Sequence, residues 1–224
     1  MTDIRDGGRI LGRAQLLPSA ESPYRMSMAT HAPPRSRHHA RSSTRPWTRA
    51  DLARLPDDDN RYEVLNGELL VTPRSNPVHQ RIAAELMFRL EPYCTHHGLG
   101  VVVGPGAVPF GKNELQPDLQ VIPCAPSQLR RGWVRLPRPL LVVEVLSEGS
   151  RRFDEGKKRD AYLEQGVADY WIVDPDERSV TVARAGQPDS TRRDRVTWRP
   201  GGADEPLTIT LPAFFVAALG PAIV

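Results

Sequence analysis

The sequence predicts a mixed α/β domain in which a β-sheet is flanked by helices. Apolar residues recur at helical spacing between residues 78 and 96, which predicts the longest helix. Residues 140–146 form a nearly continuous apolar run, which is typical of a strand buried on both faces. Asn66-Gly67 separates two short strand-like runs, and this pair of residues favours a tight hairpin.

The remaining pattern supplies further short strands and helices. Thr48 and Asp51 resemble a capping pair and predict a short helix where the ordered chain begins. A second helix is predicted at 154–165, and polar loops are predicted at 123–138 and 186–206. Strands are predicted at 101–103, 107–110, 119–122, 169–173, 179–183 and 207–211, followed by a last helix at 213–219.

Length and composition fit one ordinary domain with an extension. The chain has 224 residues and two cysteines, too few for a disulfide framework, so reduced thiols and a cytoplasmic location are expected. No run of 18 apolar residues exists, and the first 30 residues hold no secretory hydrophobic region. No membrane association is therefore expected.

The charge is unevenly placed along the chain. Residues 1–45 are rich in Arg, Ser, Pro and His and are predicted to be a disordered tail, with the domain at 46–220. Residues 1–50 hold nine arginines against three acids, a charge of +6, whereas the remainder holds 21 basic and 24 acidic residues, a charge of −3. The overall balance counts mildly against DNA as the substrate, although a local basic patch stays open.

Glu144 is the first candidate functional residue. It lies inside an otherwise apolar strand, and a carboxylate is almost never buried unless it is paired or binds a metal. The alternative is a glutamate that faces solvent at the edge of a sheet.

Asp118 is the second candidate, at the mouth of a strand that begins with Pro117. Pro-Asp is also a common turn dipeptide, which is the alternative for this residue taken alone. Two carboxylates on adjacent strands can hold Mg²⁺, which binds one or two carboxylates and keeps several waters. Asp118 and Glu144 are therefore the predicted metal ligands.

The helix at 154–165 supplies the third group. Asp154, Lys158 and Tyr162 are spaced by four residues and share one face of the helix. Lys158 can reach the metal site and stabilise charge on a phosphate, whereas Lys157 lies about 100° around the helix. The alternative is a solvated charged face.

Together these elements resemble the PD-(D/E)XK nuclease superfamily, and within it the Uma-two family of restriction-endonuclease-like proteins. The superfamily pattern puts lysine two residues after the glutamate, where this chain has Leu146, so Lys158 from the next helix takes that place in the resemblance. Similar stretches are Tyr62 to Leu69, Pro73 to Gln80, Pro117-Asp118, Val143 to Ser147, Asp154, Lys158, Tyr162, Gly166-Val167 and Tyr170 to Pro175. The resemblance implies a restriction-endonuclease-like mixed sheet.

The resemblance also implies a function and supporting residues. Asp118, Glu144 and Lys158 are expected to be catalytic in a Mg²⁺- or Mn²⁺-dependent endonuclease that hydrolyses phosphodiester bonds of DNA. Glu63 is expected to complete the metal shell or orient Lys158, and its alternative is an ordinary hairpin residue. His79 is expected to contact phosphate or to lie on the surface near a helix cap. A homodimer suits the cutting of two strands.

Two alternatives stay open at this point. One is a catalytically inactive protein with the nuclease fold that acts as a nucleic-acid-binding or regulatory module. The other is a structural protein in which Glu144 and Lys158 form a buried ion pair, whose rupture costs about 3–5 kcal/mol.

Overall fold

A computed structural model describes residues 45–147 and 149–221. Apart from Arg45, the predicted N-terminal tail lies outside the described residues. In the described part of the chain, no helix combines the length and the apolar character needed to span a membrane. The helices are α1 Arg49–Leu52, α2 Pro77–His96, α3 Arg151–Phe153, α4 Arg159–Glu164 and α5 Leu211–Leu219. The strands are β1 Asn60–Leu65, β2 Glu68–Pro73, β3 Val101–Val103, β4 Val108–Phe110, β5 Asn113–Leu115, β6 Leu119–Ile122, β7 Leu141–Val145, β8 Asp169–Asp174, β9 Ser179–Ala183, β10 Ser190–Arg192, β11 Arg195–Trp198 and β12 Leu207–Thr210.

The predicted hairpin and long helix are confirmed. Asn66 and Gly67 have φ angles of 51° and 83°, and β1 and β2 pair in antiparallel register on either side of them. Positive φ at both central residues is the geometry that Asn-Gly favours in a two-residue hairpin. Helix α2 begins after Asn76, whose side chain accepts a hydrogen bond from the amide of His79.

The main sheet has six strands in the order β10-β9-β8-β7-β6-β3. Strands β7 and β8 are parallel, and the other neighbouring pairs are antiparallel. A smaller sheet has the order β2-β1-β5-β4, and β11 pairs with β12. The prediction of a mixed sheet flanked by helices is therefore confirmed.

Strand β7 shows how the two faces of the main sheet are covered. Val143 and Val145 pack into a core with helices α2 and α5, because successive side chains point to opposite faces. Val142 and Leu146 join a second core, which includes residues of the small sheet and of helix α4. Glu144 shares this second face, beneath the small sheet and the helix.

The structure differs from the sequence-based expectation in three places. Strand β5 and strands β10 and β11 lie where no strand was predicted, because these short polar segments become strands only by pairing with other strands. Strand β5 pairs with β4 and with the distant β1, β10 pairs with β9, and β11 pairs with β12. The predicted loop at 123–138 contains 3₁₀ turns at Pro126–Arg131 and Trp133–Arg135. A wider π turn, Asp154–Lys158, connects α3 to α4, so the helix begins earlier than predicted.

Candidate active site: a buried cluster of carboxylates around Lys158

Strand pairing brings the two predicted acids together. Leu119 of β6 pairs with Val143 of β7 in antiparallel register. The next residues of this ladder, Asp118 and Glu144, therefore lie opposite each other at one end of the two strands. Glu144 is 0% exposed on an interior strand, which excludes the alternative of a solvent-facing edge residue.

Asp118 is buried and is fully hydrogen-bonded. Its Oδ2 accepts hydrogen bonds from the amide of Val145 and lies 2.8 Å from His79 Nε2, and its Oδ1 accepts from Arg61 Nη1 at 2.8 Å. Burial by itself would raise the pKa of Asp118, but the hydrogen bond from His79 and the charge of Arg61 outweigh it and lower that pKa. Asp118 is therefore held ionised.

Lys158 lies at the centre of three carboxylates. Its Nζ is 2.8 Å from Glu63 Oε2, 3.3 Å from Glu144 Oε1 and 3.2 Å from Asp154 Oδ1, and the side chain is 0% exposed. The π turn carries Lys158 into this position, and such turns are frequent at functional sites. The other oxygen of Glu63 accepts from the amide of Gln116, which fixes the carboxylate.

The ionisation of the cluster is strongly perturbed. Burial would lower the pKa of Lys158, but the charges of Glu144, Glu63 and Asp154 outweigh it and raise that pKa. The lysine is therefore a cation rather than a proton acceptor. Burial also raises the pKa of Glu144 well above its ordinary value, against the opposing effect of Lys158.

The charge and the donor atoms of the cluster fit a divalent cation. With all four carboxylates counted as ionised, they face two permanent cations, Arg61 and Lys158, which leaves a formal charge of −2. Glu144 Oε2 is buried and has no hydrogen-bond partner among the described residues. Among the described residues, no group of three or more His, Cys, Asp or Glu residues has a metal-binding arrangement. Mg²⁺ commonly binds one or two carboxylates and keeps several waters, which fits the pair Asp118 and Glu144.

A groove leads from the surface to Asp118. A cavity of about 250 Å³ is lined by His79, Asp118, Gly104 and Pro105, among others. A neighbouring cavity of about 500 Å³ shares Pro105 with it and is lined by Arg61. The site is therefore reached from the side of α2 and β1.

The structure brings every residue predicted for the site to this region. Tyr162 is 0% exposed, its ring centroid lies 5.4 Å from that of Tyr170, and its hydroxyl has no partner within the described residues. His79 is 5% exposed, so it does not lie on the surface, and its partner is Asp118. Lys157 is exposed and pairs with Glu68, as its place around the helix indicated.

Arg61 is the residue that sequence reasoning missed. Its side chain is 15% exposed and contacts Asp118, and its Nε lies 3.8 Å from Glu63 Oε2. The sequence feature that could have identified Arg61 is the alternation of side chains along a strand, which puts Arg61 and Glu63 on one face of β1. An arginine is common on any exposed strand face, so that signal was weak.

The mixed sheet and its flanking helices match the restriction-endonuclease-like fold, as two comparisons with known proteins show. The chain belongs to the family described as "Uma2: Putative restriction endonuclease", whose model matches residues 49–216. The fold is similar to a crystal structure described as a "putative nuclease belonging to DUF820 from Anabaena variabilis ATCC 29413", with a TM-score of 0.64 and 22% identity over 78% of this chain and 100% of that one. A search of curated proteins found no match.

Proposed function

We propose that the protein is a Mg²⁺- or Mn²⁺-dependent endonuclease that hydrolyses phosphodiester bonds of DNA. The observation that carries this proposal is the buried acidic cluster with its formal charge of −2, beside a groove that opens to the surface. Membership of the family supports a nuclease. A homodimer and a cytoplasmic location are further parts of the proposal, for which the sequence arguments are the support.

Asp118, Glu144 and the main-chain carbonyl after Glu144 would hold the cation. When bound, such a cation polarises the phosphate and lowers the pKa of a coordinated water. Arg61 and His79 hold the Asp118 carboxylate ionised and in a fixed orientation. Lys158 orients Glu144 and, because it is protonated, offsets the negative charge that develops on the phosphate.

The overall reaction is simple hydrolysis. The oxygen of a water molecule forms a bond to phosphorus while a bond from phosphorus to an ester oxygen breaks. The attacking water gives a proton to solvent, and the departing oxygen takes one from solvent, so protons balance. Lys158 is not assigned as the base, because its pKa is raised by three neighbouring carboxylates.

Plasmid cleavage with and without Mn²⁺ tests the proposal. Wild type should cut only with the cation, and Asp118→Asn and Glu144→Gln should each abolish cutting. Glu164→Gln, an exposed acid on α4, is the matched control and should cut as wild type does. Wild-type rates in the double variant Asp118→Asn/Glu144→Gln would refute the assignment of the site.

A second readout does not depend on activity. A cation that binds only the folded state stabilises it by about 2.7 kcal/mol at a concentration 100 times its Kd. Mn²⁺ should therefore raise the melting temperature of wild type and of Glu164→Gln, but not that of Glu144→Gln. An equal rise in all three proteins would place cation binding elsewhere.

The second candidate function is an inactive regulatory module with the same fold. Both oxygens of Asp118 have donors, and Lys158 has three acidic neighbours, so most of the cluster is satisfied by the protein's own residues. This candidate predicts no change in melting temperature with Mn²⁺ and no cleavage.

A further inference from the structure

A short basic segment lies at the β3 edge of the main sheet. Residues 126–135, here called the arginine segment, contain Arg130, Arg131 and Arg135 and no acidic residue. The segment consists of two 3₁₀ turns, and all three arginines are exposed. It therefore adds a local charge of +3 to a domain whose overall balance is acidic.

Apolar side chains fasten the segment to the sheet. Leu129 and Leu136, the residue just after it, pack against a small core with Val101 of β3 and Ile122 of β6. The indole ring of Trp133 lies directly over Gly106, where an added Cβ would come within 2.2 Å of it. The backbone is thus held in place while the arginines face outward.

None of the three arginines has an acidic partner among the described residues. Within the described residues none of them forms an ion pair, in contrast to arginines elsewhere such as Arg151 with Asp174 and Arg193 with Glu177. A cation on an exposed surface needs no partner to be stable, but three uncompensated cations in six residues favour the binding of an anion.

Strand β6 connects this segment to the candidate active site. Asp118, Gln120 and Ile122 alternate along the chain and share one face of the sheet, the face that also carries Glu144. The Gln120 side chain donates to the carbonyl of Gly106, beneath Trp133. Four residues of strand span about 13 Å, so the segment is anchored at that distance from Asp118.

We propose that the arginine segment binds the phosphate backbone of the nucleic acid that the active site cleaves. The identity of the ligand rests on the proposed nuclease function. A distance of about 13 Å corresponds to roughly four nucleotides along one strand, at 3.4 Å each. A strand whose scissile phosphate lies at Asp118 is therefore long enough to reach the segment within about four nucleotides, and exposed arginines there would contact phosphate rather than bases.

Salt-dependent binding tests the proposal in the full chain. The variant Arg130→Gln/Arg131→Gln/Arg135→Gln is compared with Arg192→Gln/Arg193→Gln/Arg195→Gln. The second variant removes the same charge from the end of β10, the opposite edge strand of the sheet, and from the start of β11. Fluorescence anisotropy of a labelled DNA duplex in EDTA gives Kd, and a labelled single-stranded RNA serves as the second probe. The absence of divalent cations keeps binding separate from cleavage.

The expected result is a flatter salt dependence for the arginine-segment variant alone. Each lost phosphate contact reduces the slope of log K against log salt by about 0.9, so three contacts reduce it by about 2.7. Between 50 and 200 mM salt, wild type should then lose roughly 40-fold more affinity than this variant. Retention of that slope with both probes, or equal losses in the two variants, would overturn the proposal.

The outcome is independent of the cleavage assay. If plasmid cutting is normal and the salt slope of the arginine-segment variant is unchanged, the proposed role of the arginine segment is refuted and the proposed nuclease function stands. If the arginine-segment variant has a flattened salt slope but wild type cuts no plasmid, binding by the segment is supported and the proposed nuclease function is refuted. Loss of binding to vesicles that contain phosphatidylserine, with nucleic-acid binding unchanged, would assign the segment to a membrane surface and also overturn the proposal.

Discussion

The buried cluster predicts opposite effects on stability for two of its members. Among the described residues, Lys158 is the only cation within 2.8–3.3 Å of Glu63, Glu144 and Asp154, so Lys158→Met leaves a formal charge of −3. Glu144→Gln leaves a formal charge of −1, and Lys158 keeps two acidic partners. Removal of one partner from a buried ion pair is costly only where the remaining charge loses its compensation.

The magnitudes follow from the contacts. Lys158→Met should cost about 3–5 kcal/mol of unfolding free energy, which lowers the melting temperature of a chain of this size by roughly 6–20 °C. Glu144→Gln should be neutral or stabilising by up to about 2 kcal/mol, the gain often seen when a functional site is relieved of strain. Both variants should be inactive.

Thermal and urea unfolding in EDTA measure these effects. Lys157→Met is the matched control, because Lys157 is exposed and its pair with Glu68 is worth at most about 1 kcal/mol. The reasoning is wrong if Glu144→Gln loses as much stability as Lys158→Met. That result would instead support a structural role for the cluster, with Glu144 and Lys158 as a buried ion pair.

Three further predictions test individual side chains. The pKa of Glu144 is raised in the folded state, so the folded protein binds the carboxyl proton of Glu144 more tightly than the unfolded chain does. The free energy of unfolding in EDTA, measured with urea, should therefore fall as pH rises above about 4.5. This fall should be smaller in Glu144→Gln, and an identical pH dependence would contradict the assignment. His79→Ala leaves Asp118 without one of its orienting hydrogen bonds and should weaken Mn²⁺ binding about 10–100-fold by calorimetry, whereas unchanged affinity would remove His79 from the site. Arg61→Met should raise the pKa of Asp118, so the acidic limb of the plot of cleavage rate against pH should move up by about 1–3 pH units. If this limb does not move, the charge of Arg61 does not lower the pKa of Asp118.

Local sequence patterns determined much of the fold. Asn66-Gly67 specifies its hairpin because both residues tolerate positive φ, and the helical spacing of apolar residues specifies α2. Strands β10 and β11 escaped prediction because their short polar stretches form strands only through pairing with β9 and β12. Such pairing depends on partners that the local pattern does not contain.

For the site, the sequence by itself determined which residues were unusual. An acid inside an apolar strand, an acid at the mouth of another strand, and a lysine spaced by four from Asp154 were all visible in the chain. Only the tertiary structure decided that Arg61 pairs with Asp118, 57 positions away in the sequence, and that Glu63 and Glu144 both pair with Lys158. The physical reason is that ion pairs form wherever burial leaves a charge without water, and burial is a property of the packed sheets rather than of neighbouring residues.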